Sequence, residues 1–137
     1  MVWTRFATQV KLLLDTHVFL WWNEDSPSLS RRVRTLLSDP ATDLFLSVVS
    51  VWEIVLKVRT SKLGLPAAPA VYIPARLAHY RIELLPLALA HVLASDTLPN
   101  HHRDPFDRML VAQAQVERLP IATRDSQIRK YDVEKVW

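Results

Sequence analysis

The stretch KLLLDTHVFLWW, Lys11–Trp22, carries the reading of the fold. Val10–Leu14 is a short apolar run with one lysine, the signature of a buried strand, and it ends in Asp15. Thr16–Asn23 follows as a short, very apolar helix. A carboxylate set between a buried strand and a buried helix is costly unless it has a partner. The alternative reading of Asp15 is an N-cap for the helix that starts at Thr16.

The same seam recurs outward from it. Leu29, Val33, Leu36 and Leu37 recur at i, i+4, i+7 and i+8, an amphipathic helix capped by Ser28 or Ser30 and stopped by Asp39-Pro40. Leu44–Leu46 reads as a second strand. Val48–Leu56 is too long an apolar stretch for a surface strand and runs on as a helix, with Glu53 and Lys57 spaced i, i+4. Leu63-Gly64-Leu65-Pro66 breaks it with the chain's only glycine. Helical Ala70–His79, strand Ile82–Leu85 and helical Leu87–Ser95 follow, then a polar loop, Leu98–Arg103. Asp104-Pro105-Phe106-Asp107 reads as a helix start, with an N-cap acid, proline at N1 and an acid at N3. That helix runs to Arg118. Pro120–Ala122 is a fourth strand ending near Asp125, and Tyr131–Val136 adds a short edge strand.

Strands alternating with helices imply right-handed crossovers and a mainly parallel sheet of four to five strands, an α/β fold. In such sheets ligands bind beyond the carboxyl ends of the strands. Asp15, Glu53, Asp104, Asp107 and Asp125 all fall at strand-to-helix seams or in the first half of a helix. Acids spread over more than a hundred positions would therefore share one pocket. Clustered carboxylates without cysteine make a site for a hard divalent cation. Each acid also has a plainer reading: a salt bridge to Lys57 for Glu53, and a helix cap or a favourable dipole contact for Asp104 and Asp107. For Asp104 the cap is preferred. His17, His101 and His102 lie close to these acids in sequence, but histidines in polar stretches are commonly solvated. Trp21, Trp22 and Trp52 could stack on bases, yet apolar helical runs assign them to core or a dimer interface. All six are left out of the metal shell.

Composition agrees with one domain over 137 residues and 15.8 kDa, with 50% hydrophobic residues to fill a core. The absence of cysteine excludes disulfides, thiolate metal sites and cysteine nucleophiles. Met1–Val10 lacks the apolar core of a secretory signal. The longest uncharged stretch, Leu84–Ser95, is broken by Pro86 and His91 and falls short of the roughly 18 residues a span needs. A soluble, cytoplasmic protein is expected. Seventeen Lys and Arg against 14 Asp and Glu give a net charge of +3 and a pI near 9.5. With the acids gathered in one pocket, the remaining surface is basic enough to attract phosphate backbones. Arginine enrichment from base composition alone would look the same.

On these residues the chain resembles the PIN-domain nucleases, and among them the VapC-like toxins of toxin–antitoxin pairs. LLDTHVFLWW, LSVVSVWEIVLK, HRDPFDRMLVAQA and ATRDSQI carry the likeness, from about Lys11 to the C-terminus. The resemblance implies a three-layer α/β/α domain and an acid quartet of Asp15, Glu53, Asp107 and Asp125, with Asp104 as an accessory acid. Thr123 matches the small hydroxyl residue before the last acid. Metal-assisted hydrolysis of RNA phosphodiesters is implied, using Mg²⁺ or Mn²⁺, with Arg103, Arg108 and Arg124 holding the RNA backbone. A cognate VapB-like antitoxin and a homodimer through apolar helices of the N-terminal half are implied as partners. Two features depart from the pattern. Met1–Val10 precedes the point where relatives usually start, as either an N-terminal extension or a misassigned start codon, and Ser61 stands where many relatives have glycine, a change expected to be harmless. The competing reading is a catalytically inactive PIN-like module that binds RNA or protein, against which the intact quartet argues. A phosphatase of the DxD type is set aside because His17 occupies the position of its second aspartate.

Overall fold

The computed structural model describes residues 10–137, so all of the expected extension except Val10 lies outside the described residues. Among them five strands form one parallel sheet: β1 (Val10–Leu14), β2 (Thr42–Ser47), β3 (Glu83–Leu85), β4 (Ile121–Ala122) and β5 (Lys135–Val136), in the order β3-β2-β1-β4-β5. Six helices connect them: α1 (Thr16–Asn23), α2 (Arg31–Ser38), α3 (Val48–Arg59), α4 (Pro69–His79), α5 (Leu89–Ser95) and α6 (Pro105–Glu117). A 3₁₀ turn spans Ile128–Lys130.

Period-two alternation in the central strands divides the core into two layers. Leu12 and Leu14 of β1 and Leu44 and Leu46 of β2 face one side, where they pack with Val18, Phe19, Val33, Leu37, Ile54 and Ile73 from α1 to α4. Leu13 and Phe45 face the other, against Val111, Ala112, Ala114 and Tyr131. The result is the expected α/β/α sandwich. Strand order moves outward from β1 to β3 with helices on one face. It then returns across the sheet to β4 with α5 and α6 on the opposite face, as right-handed crossovers require. The order reverses between β1 and β4, so the crevice at their carboxyl ends is the sheet's switch point.

Local chemistry explains most boundaries. Ser30, not Ser28, caps α2 by accepting from the Val33 amide at 3.1 Å. Ser47 and Asp104 cap α3 and α6 in the same way. The second strand is longer than expected, starting at Thr42, because its residues from Thr42 on pair with β1, from Val10↔Thr42 to Leu14↔Leu46. The last strand is shorter, since only Lys135 and Val136 reach β4. Among the described residues no helix is long and apolar enough to cross a membrane.

Candidate metal centre and nucleic-acid cleft

Asp15 leaves β1 at the switch point with 2% of its surface exposed. Its backbone N–H still belongs to the sheet, donating to the Ala122 carbonyl at 3.0 Å. Its Oδ1 caps α1 by accepting from the His17 amide at 3.1 Å, so the capping role is real. Its Oδ2 accepts from the Thr123 hydroxyl at 2.6 Å, a contact no cap requires. The Thr123 oxygen also accepts from the Asp125 amide at 3.0 Å. One buried hydroxyl therefore ties together the carboxyl ends of β1 and β4.

Glu53 is brought in by α3. It is buried to 2%, and its Oε2 accepts from the Lys57 ammonium at 2.7 Å. Among the described residues its Oε1 is buried with no hydrogen-bond partner. The Thr16 hydroxyl donates to Ser50 at 2.8 Å, locking the start of α1 to α3 one turn before Glu53. Asp104 caps α6 through Oδ1, which accepts from the amides of Phe106 and Asp107 at 2.8 and 3.3 Å. Asp107 lies one turn inside and is buried to 6%. Burial first, then the charges of Asp15, Asp104, Glu53 and Asp125, push its pKa up to about 8. Every other acid of the constellation therefore acts on Asp107, and all five share one electrostatic neighbourhood. Asp125 goes the other way: burial opposes its ionisation, but amide bonds from Gln127 and Ile128 and a bond from His102 outweigh it and lower its pKa.

His102 was missed by sequence reasoning. Its side chain is 16% exposed, and its Nε2 lies 3.0 Å from Asp107 Oδ2 and 3.3 Å from Asp125 Oδ2. Ligand atoms of His102, Asp107 and Asp125 all fall within 4.8 Å of one another. Nothing local in HHRD distinguishes this histidine from its neighbour. His101 is exposed and only edges against the Tyr131 ring.

The expected rim residues part company. Arg124 is exposed and lies 4.6 Å over the Trp21 ring, and with Asp15, His17, Trp21 and Asp125 it lines a cleft of about 200 Å³. Arg103 is exposed beside Asp104. Arg108 is not at the rim as expected. Its guanidinium donates to the carbonyls of Ser95, Leu98 and Pro99 and to Tyr131 Oη, because one fork satisfies a loop's orphan acceptors. Trp52 is not core: 56% of it is exposed, edge-on to Phe106 at 5.1 Å. Trp21 and Trp22 pack against the first core layer.

The donor set suits a hard divalent ion. It offers carboxylate oxygens around a buried Glu53 Oε1 that has no hydrogen-bond partner among the described residues, and an aspartate whose ionisation is opposed by burial and by the surrounding acids. Fold and site together define a parallel α/β protein with an acidic, cation-seeking centre at the switch point. Residues 12–134 match the family described as PIN domain, and the chain belongs to it. PIN domains are generally nucleases and typically use divalent metals. The fold is shared with VapBC2 from Rickettsia felis bound to a DNA fragment from its promoter (TM-score 0.69, 13% identity, 93% of this chain and 98% of that one). It is shared likewise with FitAcB from Neisseria gonorrhoeae (0.61, 22%, 92% and 96%) and with DNA-bound VapBC from Salmonella typhimurium (0.63, 16%, 93% and 97%). No curated protein matches the chain in sequence.

Proposed function

We propose that this chain is a metal-dependent endoribonuclease of the VapC-like kind, the toxin of a toxin–antitoxin pair, built on the PIN domain of residues 12–134. The observation that carries the reading is the gathering of Asp15, Glu53, Asp107 and Asp125 at the switch point, where burial first and then the neighbouring carboxylates push the Asp107 pKa up to about 8. Asp15, Asp107, Asp125 and Glu53 would hold Mg²⁺ or Mn²⁺, with Asp104 assisting from the helix cap. A bound ion supplies Lewis-acid polarisation of the scissile phosphate and an acidified water.

The chain's own residues do the rest. Thr123 fixes the Asp15 carboxylate and the Asp125 backbone in one arrangement. Lys57 balances Glu53 on the side away from the orphaned oxygen. Exposed Arg103 and Arg124 hold backbone phosphates as they enter the cleft. An active nuclease must be restrained in its own cytoplasm, and the shared fold with the VapBC and FitAcB structures supports an antitoxin partner. Exposed Trp52, Val55 and Leu56 on α3 support a homodimer through apolar helices.

Purified chain incubated with structured and single-stranded RNAs should cleave internally with Mg²⁺ or Mn²⁺ and stop with EDTA. Asp15→Asn and Asp107→Asn should each abolish cleavage and leave the circular dichroism spectrum unchanged. Cleavage retained in both variants sinks the site. Absence of cleavage across the panel favours a binding module.

A further inference from the structure

We propose that His102 is the positioning residue of the Asp107–Asp125 pair: a neutral imidazole whose Nε2–H is shared between the two carboxylates and holds them converged, without itself ligating the ion. The proposal rests on the metal reading above and adds a residue that the acid quartet leaves out.

The tautomer follows from the backbone. The Asp104 amide can only donate, and it donates to His102 Nδ1 at 3.1 Å. Nδ1 is therefore an acceptor, and the proton of the neutral ring sits on Nε2. That N–H meets Asp125 Oδ2 at 3.3 Å, with Asp107 Oδ2 3.0 Å from the same nitrogen. Ligation through Nε2 would move the proton to Nδ1, against the Asp104 N–H. Two donors would then face each other, so the ring is set to donate rather than to bind an ion.

The ring's support is also built. The His102 amide donates to Tyr131 Oη at 2.9 Å, and Tyr131 is 2% exposed. Arg108 holds the same phenol oxygen at 3.3 Å and anchors the carbonyls of Ser95, Leu98 and Pro99. The loop carrying His102 is thus clamped at both its start and its end. The need for such a donor is electrostatic. Asp107 and Asp125 come from different elements and repel one another when both are ionised, as ion binding requires, and among the described residues His102 is the side chain that contacts both. Groups that orient metal ligands in this way typically change ion affinity about 10–100-fold when removed.

Mn²⁺ binding, followed by electron paramagnetic resonance of the free ion without RNA, tests the proposal, with Mg²⁺ measured by competition. His102→Ala should weaken both ions by a common factor in that 10–100-fold range. His102→Gln, which carries an N–H at comparable reach, should restore most of the affinity. Long-range ¹⁵N correlation spectra should show Nε2 protonated both before and after Mg²⁺ is added. Unchanged affinity in His102→Ala, or failure of Gln to rescue a folded protein, overturns the proposal. So does loss of the Nε2 proton on loading, or a loss confined to Mn²⁺, either of which makes His102 a ligand. If wild type binds neither ion, the nuclease reading fails. The ion-free spectrum then decides His102 alone, and an unprotonated Nε2 overturns it.

Discussion

Thr123 shows how little chemistry holds this centre together. Its hydroxyl donates to Asp15 and accepts from the Asp125 amide, so one oxygen links acids from opposite ends of the chain. Thr123→Val keeps the shape and removes both bonds. Divalent-ion affinity should fall about 10–100-fold, with a stability loss of about 1–3 kcal/mol from the stranded amide. Thr123→Ser should keep most of each, and titration calorimetry with Mg²⁺ beside thermal melts separates the two effects. An unchanged ion affinity in Thr123→Val would mean that Asp15 needs no orienting hydroxyl. Asp104 and Asp107 make a sharper pair. Asparagine caps a helix as well as aspartate does, so Asp104→Asn should cost far less cleavage than Asp107→Asn, and the reverse ranking would exchange their roles. At this scale Asp15 and Glu53 were legible because each interrupts an apolar run, which has to be explained locally, and Asp104, Asp107 and Asp125 because they sit at a helix start or just past a strand. His102 interrupts nothing. Its role exists only once Tyr131 and Asp104 have fixed the loop, and no local pattern encodes that. Arg108 failed as a rim residue for the same reason: a charge at a helix start looks alike whether it faces solvent or three carbonyls.

Elements were read well where periodicity was long and poorly where pairing decides. α3 and α6 follow from their apolar spacing and their caps. β4 is two residues long and exists because Leu13 and Leu14 offer it a partner. The network joining the two layers was invisible in sequence. The Ser47 hydroxyl donates to Gln113 Oε1 at 2.5 Å, and Gln113 Nε2 reaches Pro86 O at 3.3 Å, all far apart in the chain. The end of α3 adds a correction of degree. Ser61 N–H donates to Val58 O at 3.1 Å and Lys62 N–H to Lys57 O at 2.8 Å, a helix stop that needs a left-handed residue between them. Ser61 supplies it with φ of 61°. The missing glycine is therefore a small cost, not a neutral change, because a Cβ in that conformation is strained. Ser61→Gly should raise stability by about 0.5–1 kcal/mol in urea melts with cleavage unchanged. A loss of stability would show that the entropy of the added glycine outweighs the relieved strain. Gly64, by contrast, has no positive φ and open space around its Cα, so Gly64→Ala should be tolerated.

Across the whole molecule, charge is sorted: a net +3 chain confines its most deeply buried acids to one crevice. That sorting makes the ion-free fold sensitive to pH. Asp107 has an ordinary value of 3.8 when unfolded and about 8 when folded, so the native state keeps a proton that the unfolded state releases. Its favourable contribution is complete below about pH 4 and is lost as pH rises towards 8. His17, raised by its bond to Asp15, adds to the same fall in the upper part of that window. Asp125 is lowered, so its contribution is present above its unfolded value and disappears only on stronger acidification. In EDTA the melting temperature should therefore drop between pH 5 and pH 8. Asp107→Asn should melt higher than wild type at pH 8, and the gap should close towards pH 5. Saturating Mg²⁺ should reverse the wild-type drop, stabilising by about 2.7 kcal/mol at a hundred times its dissociation constant. Its effect should be larger at pH 8 than at pH 5, because the carboxylates must shed their proton to hold the ion. A wild-type melting temperature that stays flat across this range in EDTA would mean that the four acids do not share a field. Asp107 would then lose its claim to the centre of the site.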